Sequence, residues 1–308
     1  MHPAYSIIFF TTATGLGYGL AAVLGLGLLD PALTATKIAH VLALALISVG
    51  LLSSTLHLGN PKRAWRALSQ WRSSWLSREG VVAILTFLPL VCSAYASIFA
   101  DRYIAQAGLL GAFMALGTVY CTAMIYASLK AVQSWHTQLT PLCYVLFALA
   151  GGFCLATFFA EAGGANVAAN AALSVIFLAL AWAAKLVWRN RMNTIRPIST
   201  PETATGLGGI GRVRLLERPH VNDNYLTREM GFKIARKHAA KLAMASFVLA
   251  GIAPALILSA LALGALEAGL PAVVAAGAAV LLHAVGMLVE RWLFFAEARH
   301  AVMNYYGC

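Results

Sequence analysis

Eight stretches of this chain are each about 20 residues long and nearly free of charge, near 6–29, 37–58, 80–100, 104–129, 142–160, 168–188, 242–264 and 271–296. An apolar helix of that length crosses the hydrocarbon core of a bilayer, with every backbone amide satisfied inside the segment. Only 11% of the 308 residues are charged, whereas soluble domains carry about a quarter. The expected fold is therefore an all-α integral membrane bundle of eight transmembrane helices, a single domain over 1–308. The opening Met1-His2-Pro3-Ala4 has no positive n-region, and the apolar run after it shows no evident cleavage site. The first stretch is thus expected to remain as the first helix.

Cations set the expected orientation. Five of the 22 Lys and Arg lie in the second connection (Lys62, Arg63, Arg66, Arg72 and Arg78) and twelve between Lys185 and Lys241. With Lys130, Arg291 and Arg299, twenty fall on one side, and only Lys37 and Arg102 lie opposite, beside Asp30, Asp101, Glu161 and Glu267. The positive-inside bias then places both termini, the second connection and the long connection over 190–241 in the cytoplasm of a bacterial inner membrane. In the alternative, the basic side docks an acidic partner and the orientation is reversed. The net charge of +11 is spread over helix ends, which points to membrane lipid and away from nucleic acid.

Other patterns carry less. Cys92, Cys121, Cys143 and Cys154 sit inside apolar stretches and Cys308 at the end, none in a CxxC pair, so they read as small hydrophobes and no metal or cluster is expected. Gly206-Leu207-Gly208-Gly209-Ile210-Gly211 fits GxGxxG, but it follows a Pro-containing linker and lacks the strand and helix of a dinucleotide site. The connection 190–241 is irregular in its first half and turns helical from Tyr225 to Lys241, a surface helix suited to docking a partner or resting on lipid. Gly15, Gly17 and Gly19 suit close helix approach. His40 and His283 are the two histidines in the outer half, an unpromising haem pair. Apart from His283, no ionisable residue lies near the middle of a stretch, so no proton path across the membrane is expected.

The second connection is richer than a turn requires. His57 to Gly80 reads HLGNPKRAWRALSQWRSSWLSREG, with five cations, Trp65, Trp71, Trp75, one histidine and Glu79. Indole and guanidinium groups suit the headgroup level. An imidazole and a carboxylate at that boundary suit a lipophilic carrier that exchanges protons with its electrons. The bland readings are a helix-end histidine for His57, a carboxylate at a helix N-terminus for Glu79, and belt or headgroup contacts for the rest.

His57-Leu58-Gly59-Asn60-Pro61, Arg63-Ala64-Trp65-Arg66 and Trp75-Leu76-Ser77-Arg78-Glu79-Gly80 resemble the membrane anchor subunits of DMSO-reductase-type molybdoenzymes, the DmsC family. His2-Pro3-Ala4-Tyr5-Ser6 and Asn224-Tyr225-Leu226-Thr227-Arg228-Glu229-Met230-Gly231-Phe232 are similar to it as well. The resemblance implies that the histidine at 57 belongs to a quinone site; from their place in the same connection, Glu79 is a candidate proton relay or quinone ligand, Arg63 or Arg78 a candidate to polarise a quinone carbonyl, and Trp65, Trp71 and Trp75 candidates to line the ring. It implies ubiquinone or menaquinone as the carrier, no haem in this chain, and partner subunits that hold iron–sulfur clusters and the molybdopterin. The cation count favours the branch that anchors cytoplasmic sulfite dehydrogenases, with electrons running from sulfite to quinone. The alternative is a menaquinol-oxidising anchor of a DMSO or related S- or N-oxide reductase. Readings of other classes are a secondary transporter, which needs midplane polar groups or broken helices, and a passive anchor.

Overall fold

The computed structural model describes residues 3–55, 60–195, 197–214, 216–217, 222 and 234–306, with the backbone alone at 61, 234–237 and 304–306. Within them, eight helical segments are long and apolar enough to cross a membrane. They are α1 (Tyr5–Gly25), α2 (Thr34–Thr55), α3 (Trp75–Ala100), α4 (Ala105–Ala127), α5 (Leu139–Ala162), α6 (Ala168–Thr194), a compound seventh, and α10 (Leu270–Ala296). The seventh runs from α8 (Ile234–Phe247) through a π turn (Val248–Ile252) into α9 (Ala253–Ala262). Between α6 and α8 lie the short α7 (Pro201–Thr205) and a 3₁₀ turn, Leu207–Gly209. No strand occurs among the described residues, and the GxGxxG run sits in that turn, so it has no βαβ context.

Three helices overrun their expected ends. α3 starts at Trp75 instead of 80, α6 continues to Thr194 instead of 188, and the seventh helix begins well before 242. Charge marks a helix end in sequence only when the charge must reach water. Here Arg78 bonds back to the preceding loop, while Lys185 and Arg189 pair with carboxylates of α10 and the residues just after it. Of the surface helix expected over Tyr225 to Lys241, residues 225–233 lie outside the described residues, and from Ile234 the chain is helical and continuous with the seventh span.

α1 and α5 form the centre. The apolar windows of α1 and α5 are 78% and 72% buried, against 22% for α2, so the other helices present Leu88, Phe99, Phe113, Leu256 and Leu281 outward. Lipid tails are as apolar as leucine, so helix association here rests on close packing. Gly19 of α1 meets Ala148 and Gly152 of α5 so closely that a Cβ would overlap the Ala148 carbonyl. Gly17 lies against Ala43 and Ile47 of α2 in the same way, whereas Gly15, grouped with them by sequence, has nothing within 4 Å of its Cβ position.

The π turn has a readable cause. In an α-helix the carbonyl of Ala250 would accept from the N–H four residues on, but that residue is Pro254, which has none. His283 of α10 fills the vacancy, its Nδ1 2.8 Å from Ala250 O. A carbonyl only accepts, so Nδ1 carries the proton and neutral His283 has a bare Nε2. The turn is held by Gly286, whose Cβ would collide with Ala250, and by Ser246 Oγ donating to Gly286 O at 2.9 Å.

Gly19→Ala should lower the thermal midpoint of the purified protein, at a cost of about 1–3 kcal/mol or more for overpacking. Gly15→Ala, with open space at its Cβ, should lower it little or not at all.

Candidate functional site

Residues 61–80 build a ledge at the basic end of the bundle. Pro61–Gln70 is a 3₁₀ helix with proline in its first turn, where the missing N–H costs nothing. Its Leu68 folds back on α3, where a Cβ at Gly80 would come within 2.7 Å of Leu68 Cδ2. Lys62, Arg63 and Arg66 face out, and Trp65 and Trp71 are 66% and 54% exposed. Arg78 ties the ledge to α3, donating from Nε to Trp71 O (3.0 Å) and from Nη2 to Arg72 O (2.7 Å). Its guanidinium lies 4.3 Å from the Trp75 ring centroid, a cation–π contact, and Trp75 meets Tyr120 edge-on at 6.0 Å.

Glu79 behaves differently. It lies four residues into α3, about 6 Å of helical rise from its start, and is buried. Thr122 of α4 holds it, Oγ1 to Oε1 at 2.5 Å. The same hydroxyl is 3.1 Å from Thr118 O. One proton thus serves two acceptors: Thr122 donates to Glu79 when the carboxylate is ionised, and turns to Thr118 O when Glu79 itself donates. The pair fits either protonation state without moving a helix. The helix-end reading of Glu79 does not describe this position.

Of the sequence candidates, the structure brings Trp75, Arg78 and Glu79 onto one helix start and leaves Arg63, Trp65 and Trp71 outward on the ledge. His57 lies outside the described residues. His40 and His283 line separate cavities, with His40 beside Ser93 and Gly108 and His283 beside Thr12 and Tyr144. Among the described residues no cluster of His, Cys, Asp or Glu could hold a metal ion.

Sequence reasoning misses a buried charge cluster. Lys185 and Arg291 read as helix-end cations and Glu290 draws no notice, yet all three are at least nine-tenths buried. Lys185 Nζ lies 2.6 Å from Glu290 Oε1, and Arg291 Nε lies 3.5 Å from Glu290 Oε2. Both cations also face aromatic rings, Lys185 at 3.7 Å from Trp188 and Arg291 at 3.7 Å from Tyr144. Trp135, Tyr126, Phe294 and Phe295 stack around them, with Trp135 Nε1 donating to Phe294 O at 3.0 Å. The available signal is the Glu-Arg pair inside Leu288-Val289-Glu290-Arg291-Trp292-Leu293, a charged doublet flanked by apolar residues on both sides.

The profile of the DMSO reductase anchor subunit (DmsC) family matches residues 1–296. The chain is 33% identical to the C subunit of sulfite dehydrogenase from Allochromatium vinosum over 331 aligned positions, covering 99% of each. It is also 27% identical to the C chain of the anaerobic dimethyl sulfoxide reductase from Escherichia coli over 166 positions, 48% of this protein and 54% of that one.

Glu290→Gln should destabilise the protein by about 3–5 kcal/mol, because it strips the counter-charge from two buried cations. Lys37→Met breaks a pair whose Asp101 side chain is 60% exposed, and should cost less than about 1 kcal/mol. Thermal unfolding of the two variants in one detergent checks the contrast.

Proposed function

This chain belongs to the DMSO reductase anchor subunit (DmsC) family, and on that premise we propose that it is the quinone-reactive anchor of a molybdopterin and iron–sulfur oxidoreductase complex. It holds the partner subunits at a bacterial inner membrane and passes electrons between membrane quinone and the partner's iron–sulfur centre. The observation that carries this reading is Glu79: a carboxylate buried at the membrane boundary, held by a hydroxyl that accommodates both of its protonation states. Quinone reduction takes two electrons and two protons, and its oxidation returns them. Glu79 supplies or accepts one proton at a quinone oxygen, with His57 as the second proton-exchanging group. Trp75 and Arg78 form the apolar wall and the cation beside it, while Trp65 and Trp71 lie at the headgroup level, where a long-tailed carrier approaches.

Support for a docked partner comes from the basic face. Ile198, Leu207, Ile210 and Leu216 are large apolar side chains exposed on a polar connection, Leu216 at 92%. Close by, a concavity of about 470 Å³ lies between the α4–α5 connection, the end of α6 and the residues after α10. Its edges are fixed by Ile198 N donating to Gln133 Oε1 (3.0 Å) and Ala301 N donating to Ala131 O (2.9 Å). A relative matched over 99% of its length, named as part of a sulfite dehydrogenase, favours sulfite oxidation with quinone reduction on the cytoplasmic side. The runner-up is a menaquinol-oxidising anchor of an S- or N-oxide reductase, supported by the family's own description and the half-length match.

In the purified complex, His57→Ala and Glu79→Gln should each lower quinone turnover by roughly 100-fold, the usual contribution of a positioned proton-transfer group. Activity of the partner subunits with a soluble redox dye should not change. Normal quinone affinity and turnover in both variants would leave only a passive anchor. Cysteine placed at Ile210 should react with an impermeant maleimide in inverted vesicles and not in intact cells. The opposite pattern would reverse the sidedness.

A further inference from the structure

A small cavity of about 20 Å³ lies between α1, α4, α5 and α10, room for one or two waters. Thr11 and Thr14 at its wall spend their hydroxyls on Ile7 O and Phe10 O of their own helix. Thr12 Oγ1, Tyr144 Oη and His283 Nε2 are buried there without a hydrogen-bond partner, while Arg291 Nε faces Glu290 Oε2 at 3.5 Å. Their chemistry is complementary to water. Tyr144 donates, His283 Nε2 is a bare acceptor because Ala250 holds the Nδ1 proton, and Thr12 does either. One or two waters, accepting from Tyr144 and donating to His283 Nε2 with Thr12 in either role, satisfy the set.

The cavity has two polar exits. Thr122 lines it and also bonds Glu79. Arg291 lines it and leads to Glu290 and Lys185, which in turn line a groove of about 310 Å³ with Arg189, Asn193 and Met244. Met244 and Leu186 on that groove are exposed. Glu79, Thr122, Tyr144, Glu290 and Lys185 all lie within about 6–14 Å of the same bundle end by helical rise, so the line runs sideways and does not cross the membrane. We propose that the cavity holds ordered water and forms the inner leg of a proton route joining Glu79, through Thr122, to the Lys185–Glu290–Arg291 cluster and the groove beyond. Glu290, which also pairs with Lys185, offsets part of the fixed charge of Arg291 on this leg.

The proposal rests on the reading of Glu79 as the proton-exchanging group. In the quinone-reducing direction two electrons come from the partner's iron–sulfur centre, and two protons complete the quinol. One leaves the Glu79 carboxyl to form an O–H bond on the quinone, and the other enters at His57. Thr122 then turns its hydroxyl from Thr118 O to the ionised carboxylate, and a proton drawn from the groove passes along the water to restore Glu79. In the quinol-oxidising direction the same groups carry the proton outward.

A cryo-EM map of the wild-type complex fine enough to show water should place density within hydrogen-bond reach of Thr12 Oγ1, Tyr144 Oη and His283 Nε2. An empty cavity overturns the proposal. Tyr144→Phe and Thr12→Val keep shape and remove one polar atom each. Both should lower kcat for quinone severalfold, leave quinone KM and the thermal midpoint in place, and enlarge the solvent deuterium isotope effect. If Glu79→Gln is slow while these two turn over normally with an unchanged isotope effect, the relay is wrong and the quinone site stands. If Glu79→Gln itself turns over normally, the quinone reading of Glu79 fails and the relay with it.

Discussion

A charge inside a bilayer has to find its partner inside the protein, and that requirement shapes the basic half of this bundle. Glu290 sits against Lys185 and Arg291, all three almost wholly buried. Hydrocarbon would make any one of the three prohibitive alone. Together with the rings of Trp188 and Tyr144 they form a unit that fixes α5, α6 and α10 in rotation. A helix rotated about its axis would leave a charge facing lipid. Close packing at Gly17 and Gly19 holds α1 against its neighbours, and the buried ions add a second constraint on rotation.

The same requirement links the electrostatics to the backbone. Pro254 deprives Ala250 O of its helical donor, the helix passes through a π turn, and His283 supplies the missing bond. The repair determines which imidazole nitrogen faces the interior. At the cavity that His283 lines, Thr122 shares one proton between Glu79 and Thr118 O. Threonines that merely bond back to their own helix, such as Thr11 and Thr14, could be exchanged for small apolar residues with little change. Thr122 could not, because its hydroxyl is the hydrogen-bond partner of a buried carboxylate.

Much of the fold was legible beforehand. Apolar length placed all eight spans, because a bilayer leaves the backbone no other way to satisfy its amides. Loop composition marked the second connection and its candidates His57, Arg63, Trp65, Trp71, Trp75, Arg78 and Glu79, of which the structure gathers the last three and leaves Arg63, Trp65 and Trp71 outward. The ends were less legible: α3 and α6 continue through Arg78, Lys185 and Arg189 because those side chains find partners in the bundle. Grouping Gly15 with Gly17 and Gly19 failed for a related reason. Spacing along a helix does not say which of its faces a neighbour covers.

The sequence by itself determined a membrane bundle, its span count, its basic end and the ledge chemistry, since these follow from local length, polarity and chain order. Only the tertiary structure decided that Glu79 turns inward to Thr122, that Lys185 pairs with Glu290 across 105 positions of sequence, and that His283 answers a carbonyl on another helix. Each of those depends on which faces meet and at what rotation, and contact between distant segments is set by packing, which no local pattern encodes.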